Sequence, residues 1–131
     1  MICVQTEIKI LKIQKTLNEK HPMDIISTFL GAHAIPQDKG AEEYVDIVIY
    51  KMLPKVKKLA RYCDVFCEKN IFSISQSRSI LNEGRKNGLI PKIHADEIVD
   101  TGGAALAAEI GAISADHLLK ASDKGLKMMA N

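Results

Sequence analysis

Cysteine is scarce in this sequence, charge is nearly balanced and no apolar run is long, and each shortage excludes something. The three cysteines, Cys3, Cys63 and Cys67, are an odd number without CxxC spacing, which points to a reducing, cytoplasmic compartment. On the strand assigned below, Cys63 and Cys67 would lie roughly 13 Å apart, beyond the roughly 7 Å that a disulfide tolerates. Buried free thiols are expected. No apolar stretch approaches the roughly 20 residues that span a bilayer, and the N-terminus lacks the basic-then-apolar layout of a signal peptide. No membrane partner is expected. Lys and Arg number 18 against 16 Asp and Glu, a formal charge of +2, spread along the chain without a nucleic-acid tail or patch. What is present is 131 residues, 47% hydrophobic and 26% charged. That composition suits one globular domain burying roughly 65–70% of its unfolded surface.

The hydrophobic period switches repeatedly between helix and strand. From Thr6 to Lys20, Ile10, Ile13 and Leu17 fall on one helical face, and Pro22 stops the run. Asp24–Leu30 reads as a buried strand that leaves through Gly31-Ala32-His33. The turn Pro36–Gly40 leads into a long helical stretch through Arg61, which Pro54 divides. Cys63–Glu68 is the second strand. Ser73–Gln76 has capping-box form, and Gly88 suits a left-handed helix end. Lys92–Ala95 is a third strand, Thr101 can cap a helix ending at Gly111, and Ile113–His117 is a fourth strand. Ser122-Asp123 opens a last helix to Asn131. This α-β-α-β-α-β-α-β-α order means parallel strands, either in an open doubly wound sheet or in part of a (β/α)8 barrel.

Each strand ends on a titratable residue: His33, then Glu68, then His94 with Glu97, then His117. In parallel α/β folds chemistry gathers at those ends. Three of the four histidines lie there, and imidazole is both a metal ligand and a general acid or base. His94 and Glu97 suggest a ligand beside a carboxylate that handles a water proton. A complete metal site needs more ligands, and neither HxH nor HExxH is present. Gly102-Gly103 reads as a tight turn before a helix, since GxGxxG and GxxxxGK[ST] are absent. The Lys55/Lys57/Lys58 cluster reads as a solvated helix face, and Met128-Met129 as core packing.

The strand-end segments resemble the imidazolonepropionases, metal-dependent amidohydrolases of histidine degradation. The matching wording is STFLGAHAIP (Ser27–Pro36), DVFCE (Asp64–Glu68), KIHADE (Lys92–Glu97), GGAALAAE (Gly102–Glu109) and SADHL (Ser114–Leu118), in the family's order. The resemblance implies an α/β fold, a partial (β/α)8 TIM barrel of the metallo-dependent hydrolase type with about four parallel βα units. It also implies one zinc or iron ion and a small-molecule substrate, imidazolone propionate, opened by water to N-formimidoyl-L-glutamate. Position by position, His94 matches a metal ligand, and Glu97 a carboxylate that contacts substrate and manages the proton. His33 matches a substrate-contacting histidine, and His117 a catalytic histidine near the metal-bound water. Glu68 and Cys67 fall in a family segment best explained by packing or by supporting hydrogen bonds.

Departures are equally specific. The family's HxH ligand pair, its Asp ligand and its Arg and Tyr substrate contacts are not among these residues, and Met1–Gln5 departs from its wording. Residues 1–131 are therefore expected to be the central part of an amidohydrolase barrel domain, truncated at both ends. The complete family is expected to form homodimers, and this section to self-associate. Two alternatives are a non-catalytic half-barrel that pairs with itself or with another chain, and a metal-dependent deaminase. The GAHA and HADE spellings disfavour the deaminase.

Overall fold

A computed structural model describes residues 4–130; Cys3, Met1–Cys3 as a whole and Asn131 lie outside the described residues. The expected alternation is present. It runs α1 (Val4–Lys20), β1 (Thr28–Ala32), α2 (Ala41–Asp46), a π-helical segment (Ile47–Met52), α3 (Leu53–Val56), β2 (Tyr62–Cys67) and α4 (Ile74–Lys86). Then follow β3 (Ile90–Ala95), α5 (Gly103–Glu109), β4 (Ala115–His117) and α6 (Asp123–Met129). No helix among the described residues is long and apolar enough to cross a membrane.

The strands form one sheet in the order β1-β2-β3-β4, every pair parallel. Each crossover steps one strand in the same direction, and right-handed crossovers then stack their helices on one side. A doubly wound sheet would reverse direction at a switch point, and this one does not. Of the two architectures left open by the sequence, the singly wound barrel type is the one built. Along β3 burial alternates: Pro91, Ile93 and Ala95 are buried, while Ile90, Lys92 and His94 are half-buried on the opposite face. Ile93 and Ala95 join Phe29, Cys63, Val65 and Cys67 in a core closed by Leu53, Val56, Ile80 and Leu81 from the helices. Full burial of the Phe, Val, Leu and Ile side chains among these contributes about 1.5–3 kcal/mol each. Cys63 and Cys67 are buried free thiols as expected, and burial pushes both further up from the ordinary thiol range.

Several local readings shift. The first strand begins at Thr28, not Asp24, because the Ile25 N–H donates to the Asn18 side chain at 2.7 Å and folds Asp24–Ser27 against the end of α1. On α1 the stripe Ile10, Ile13 and Leu17 stays exposed. A second stripe of the same period, Val4-Ile8-Leu11, packs on the core instead. The stretch before Arg61 ends its helix at Val56, and the division at Pro54 is made by the π-helical segment. There Leu53 N–H reaches back five residues to the Val48 carbonyl. The widened turn accommodates a proline that supplies no donor and crowds the preceding turn. The Ser73 capping box is present in full, and Gly88 has φ 84°. Thr101 does not cap α5; its hydroxyl donates to Asp96. Met129 is exposed, not core.

One irregularity matters for the site. β1 pairs Phe29 with Cys63 but Ala32 with Val65, so β1 holds one extra residue across that interval. This bulge reverses the inward–outward parity. Ala32 is thereby buried in the core beside Phe29, and the next residue, His33, turns to the face that carries Phe66 and His94. The bulge is compact at Gly31, where a Cβ would stand 2.5 Å from the Phe29 ring and 3.0 Å from the Met52 sulfur. The Gly31 carbonyl accepts from the buried Tyr44 hydroxyl at 2.8 Å. Gly31→Ala is expected to destabilise the chain by about 1–3 kcal/mol through overpacking, read as a lower urea midpoint at unchanged slope. A midpoint equal to wild type would show that the bulge is not held this tightly.

Candidate active site at the strand ends

The open face and the C-terminal edge of the sheet collect the titratable groups. Phe66 and His94 are register partners on β2 and β3, and Asp116 follows on β4, which sets all three on one face. Asp64 lies one same-face step before Phe66, and only 1% of its residue surface is exposed. Its Oδ1 is 2.9 Å from His94 Nδ1 and 3.6 Å from His33 Nε2. The two imidazoles meet at 3.3 Å, His33 Nε2 to His94 Nδ1, with an edge-on ring contact. The His33 ring also stacks on Phe66 with centroids 6.3 Å apart. Burial lowers the His33 pKa; Asp64 opposes this and His94 adds to it, leaving the ring readily neutral at neutral pH.

On the far side of His94, Nε2 is 3.8 Å from Asp116 Oδ2, and the His117 ring centroid is 5.3 Å away. His117 Nε2 lies 3.6 Å from Glu97 Oε2. Of the five titratable groups expected at this edge, three histidines and one carboxylate, His33, His94, His117 and Glu97, are thus brought into one continuous cluster. Glu68 stands behind it. Its buried carboxylate accepts from the backbone N–H groups of Lys69, Glu97 and Ile98 at 2.8, 3.1 and 2.9 Å. This fixes the loop that carries Glu97, so Glu68 supports the site through the backbone.

Asp96 does the equivalent for the next helix. It is fully buried, and its carboxylate accepts from Thr101 N–H, Thr101 hydroxyl, Gly103 N–H and Ala104 N–H at 2.8–3.0 Å. Side-chain capping of α5 therefore comes from the end of β3. Gly102 (φ 84°) makes the turn, and Gly103 sits so close that a Cβ would lie 2.6 Å from the Ala95 Cβ, as expected of a tight strand-to-helix turn. Among the described residues the non-glycine residues with positive φ are Asn70, Asp96, His117 and Leu118. All four follow or end a strand at this same edge. Such backbone costs of order 1–3 kcal/mol each and concentrates at functional sites.

Sequence reasoning missed Asp64 and Asp116. The available signal for Asp64 was a lone carboxylate inside the apolar strand Cys63–Cys67, since a buried charge demands a partner. Two imidazoles and a carboxylate suit zinc or iron, and His33, Asp64 and His94 each present a ligand atom within 4.8 Å of the others. His94, with histidine and carboxylate neighbours around it, fits a metal ion as one ligand of a larger shell.

A singly wound parallel sheet with its titratable groups gathered at the C-terminal edge defines the class of fold: part of a (β/α)8 barrel. Curated proteins match the same stretch of sequence. The chain is 53% identical over 133 residues to the imidazolonepropionase of Brevibacillus brevis, covering 98% of this chain and 31% of that protein. It is 54% identical over 134 residues to the imidazolonepropionase of Geobacillus kaustophilus, covering 99% and 32%. It is 53% identical over 133 residues to that of Bacteroides thetaiotaomicron, covering 97% and 32%. No family model matches. The chain spans about a third of the length of the curated relatives it matches. It corresponds to a central section of imidazolonepropionase sequences.

Proposed function

We propose that residues 1–131 are the central section of a cytoplasmic, metal-dependent hydrolase that opens 4-imidazolone-5-propionate to N-formimidoyl-L-glutamate. The observation that carries this is the convergence of His33, His94, Glu97 and His117 on one sheet edge, in a chain that matches imidazolonepropionases along almost its whole length. His94 is the ligand for a zinc or iron ion, with the remaining ligands supplied by the HxH pair and Asp that the resemblance implies elsewhere in the barrel. Bound there, the ion would supply Lewis-acid polarisation of the ring carbonyl and acidify water. Glu97 takes a proton from the attacking water at its carboxylate and passes it to the departing ring nitrogen. A C–O bond forms at the carbonyl carbon and the ring C–N bond breaks. His117, 3.6 Å from Glu97, holds that carboxylate beside the water, and His33 contacts the substrate.

The test exchanges this section for the corresponding residues of the Brevibacillus brevis protein. The chimera is expected to bind one equivalent of zinc or iron and to consume imidazolone propionate. A folded, metal-loaded chimera without turnover would sink the reading.

A second reading is a half-barrel that self-associates. Among the described residues β1 pairs only with β2 and β4 only with β3, and Leu30 is exposed at the β1 edge. Open edges invite pairing. Sedimentation velocity of the 131-residue chain is expected to show a dimer or larger species, whereas a sharp monomer with cooperative thermal unfolding would exclude it.

A further inference from the structure

The two ring nitrogens of His94 have different surroundings, and the difference assigns a role to Asp64. Nδ1 points back along the sheet to a carboxylate oxygen 2.9 Å away on the neighbouring strand. Nε2 points the other way, toward Asp116 Oδ2 at 3.8 Å and the His117 ring. Asp64 is 1% exposed and sits mid-strand, below the edge where Glu97 and His117 gather.

An ion ligated jointly by His33, Asp64 and His94 would hold its donor atoms about 3.4 Å apart, as bonds of about 2.1 Å in a tetrahedron require. His33 Nε2 stands 3.3 Å from His94 Nδ1 and 3.6 Å from Asp64 Oδ1, but the Asp64–His94 pair has closed to 2.9 Å, the length of a charge-assisted hydrogen bond and the shortest of the three. We infer that Asp64 is a positioning residue: it accepts the Nδ1 proton of His94, fixes that tautomer, and leaves Nε2 as the nitrogen offered to the metal. This rests on the metal-dependent reading above. Histidines that bind metals commonly donate their second N–H to a carboxylate in this way, and loss of the partner typically lowers metal affinity 10–100-fold.

The experiment is two-bond ¹H–¹⁵N correlation NMR on the metal-free 131-residue chain at mildly alkaline pH, with His94 assigned by the signal lost in His94→Asn. Wild type should show the Nδ1–H tautomer at His94. Asp64→Asn keeps a carbonyl acceptor and should retain it, and Asp64→Ala should give a tautomer mixture. An Nε2–H tautomer in wild type, or an Asp64→Ala spectrum unchanged at His94, overturns the inference. Cobalt(II) titration of the chimera separates the two claims. A 10–100-fold weaker affinity for Asp64→Ala, with a smaller loss for Asp64→Asn, supports positioning. Equal loss in both variants makes Asp64 a direct ligand and overturns it. Failure of the wild-type chimera to bind cobalt refutes the metal-dependent function, while the tautomer result still decides the role of Asp64.

Discussion

Asp96→Ala is expected to cost about 3–5 kcal/mol, a large part of the roughly 5–15 kcal/mol that holds a domain of this size together. The carboxylate receives three backbone N–H groups and one hydroxyl in a fully buried place. Alanine leaves those donors without a partner at the first turn of α5, where the helix offers none. Asparagine retains an oxygen for part of the set but turns an amide donor toward the remaining N–H groups, so Asp96→Asn is expected to fall between. The same contacts set a pH dependence. Burial pushes the Asp96 carboxyl up, but the bonds from Ala104, Thr101 and Gly103 pull it down further, and the net direction is downward. The unfolded chain therefore binds this proton more readily than the folded one. The contribution is complete above the ordinary aspartate pKa of about 3.9 and is lost as pH falls through the lower folded value. Urea midpoints for wild type should drop below about pH 4 more steeply than those of Asp96→Asn. Parallel acid profiles for the two proteins would remove Asp96 from that account.

The capping box at Ser73, the turn at Gly102-Gly103 and the strand-end positions of His33, His94 and His117 were legible because each rests on local chemistry in a few adjacent residues. What was illegible depends on pairing between distant segments. The extra residue of β1 leaves no mark in the wording Thr28–Ala32, yet it decides which face His33 occupies. Asp64 is a lone carboxylate inside an apolar strand; its register partner is Lys92, and only the packed sheet brings its carboxylate to the His94 ring, one same-face step along β3. Both α1 stripes have helical period, and the packing of α1 on β1 and α3 selects the one that contains Leu11. The sequence places a cap for the α5 terminus next to the helix, at Thr101, whereas the fold delivers the acceptor, Asp96, from the end of the preceding strand.

Glu97→Gln in the chimera is expected to lower kcat 10²–10⁴-fold, the usual contribution of a placed general acid or base, while zinc or iron content stays at one equivalent. Shape and backbone placement should survive, because the position of residue 97 is fixed through its own N–H, held by Glu68 Oε2 at 3.1 Å, and not through its side chain. The change removes one capacity: a neutral amide does not accept the water proton. His94→Asn should behave differently, losing the metal and the rate together, since on the proposed reading it removes a ligand nitrogen. The contrast separates a proton carrier from a ligand within three residues of one strand end. Retention of more than about a tenth of the rate by Glu97→Gln would place the proton transfer elsewhere, and His117, 3.6 Å from the Glu97 carboxylate, would be the group to replace next.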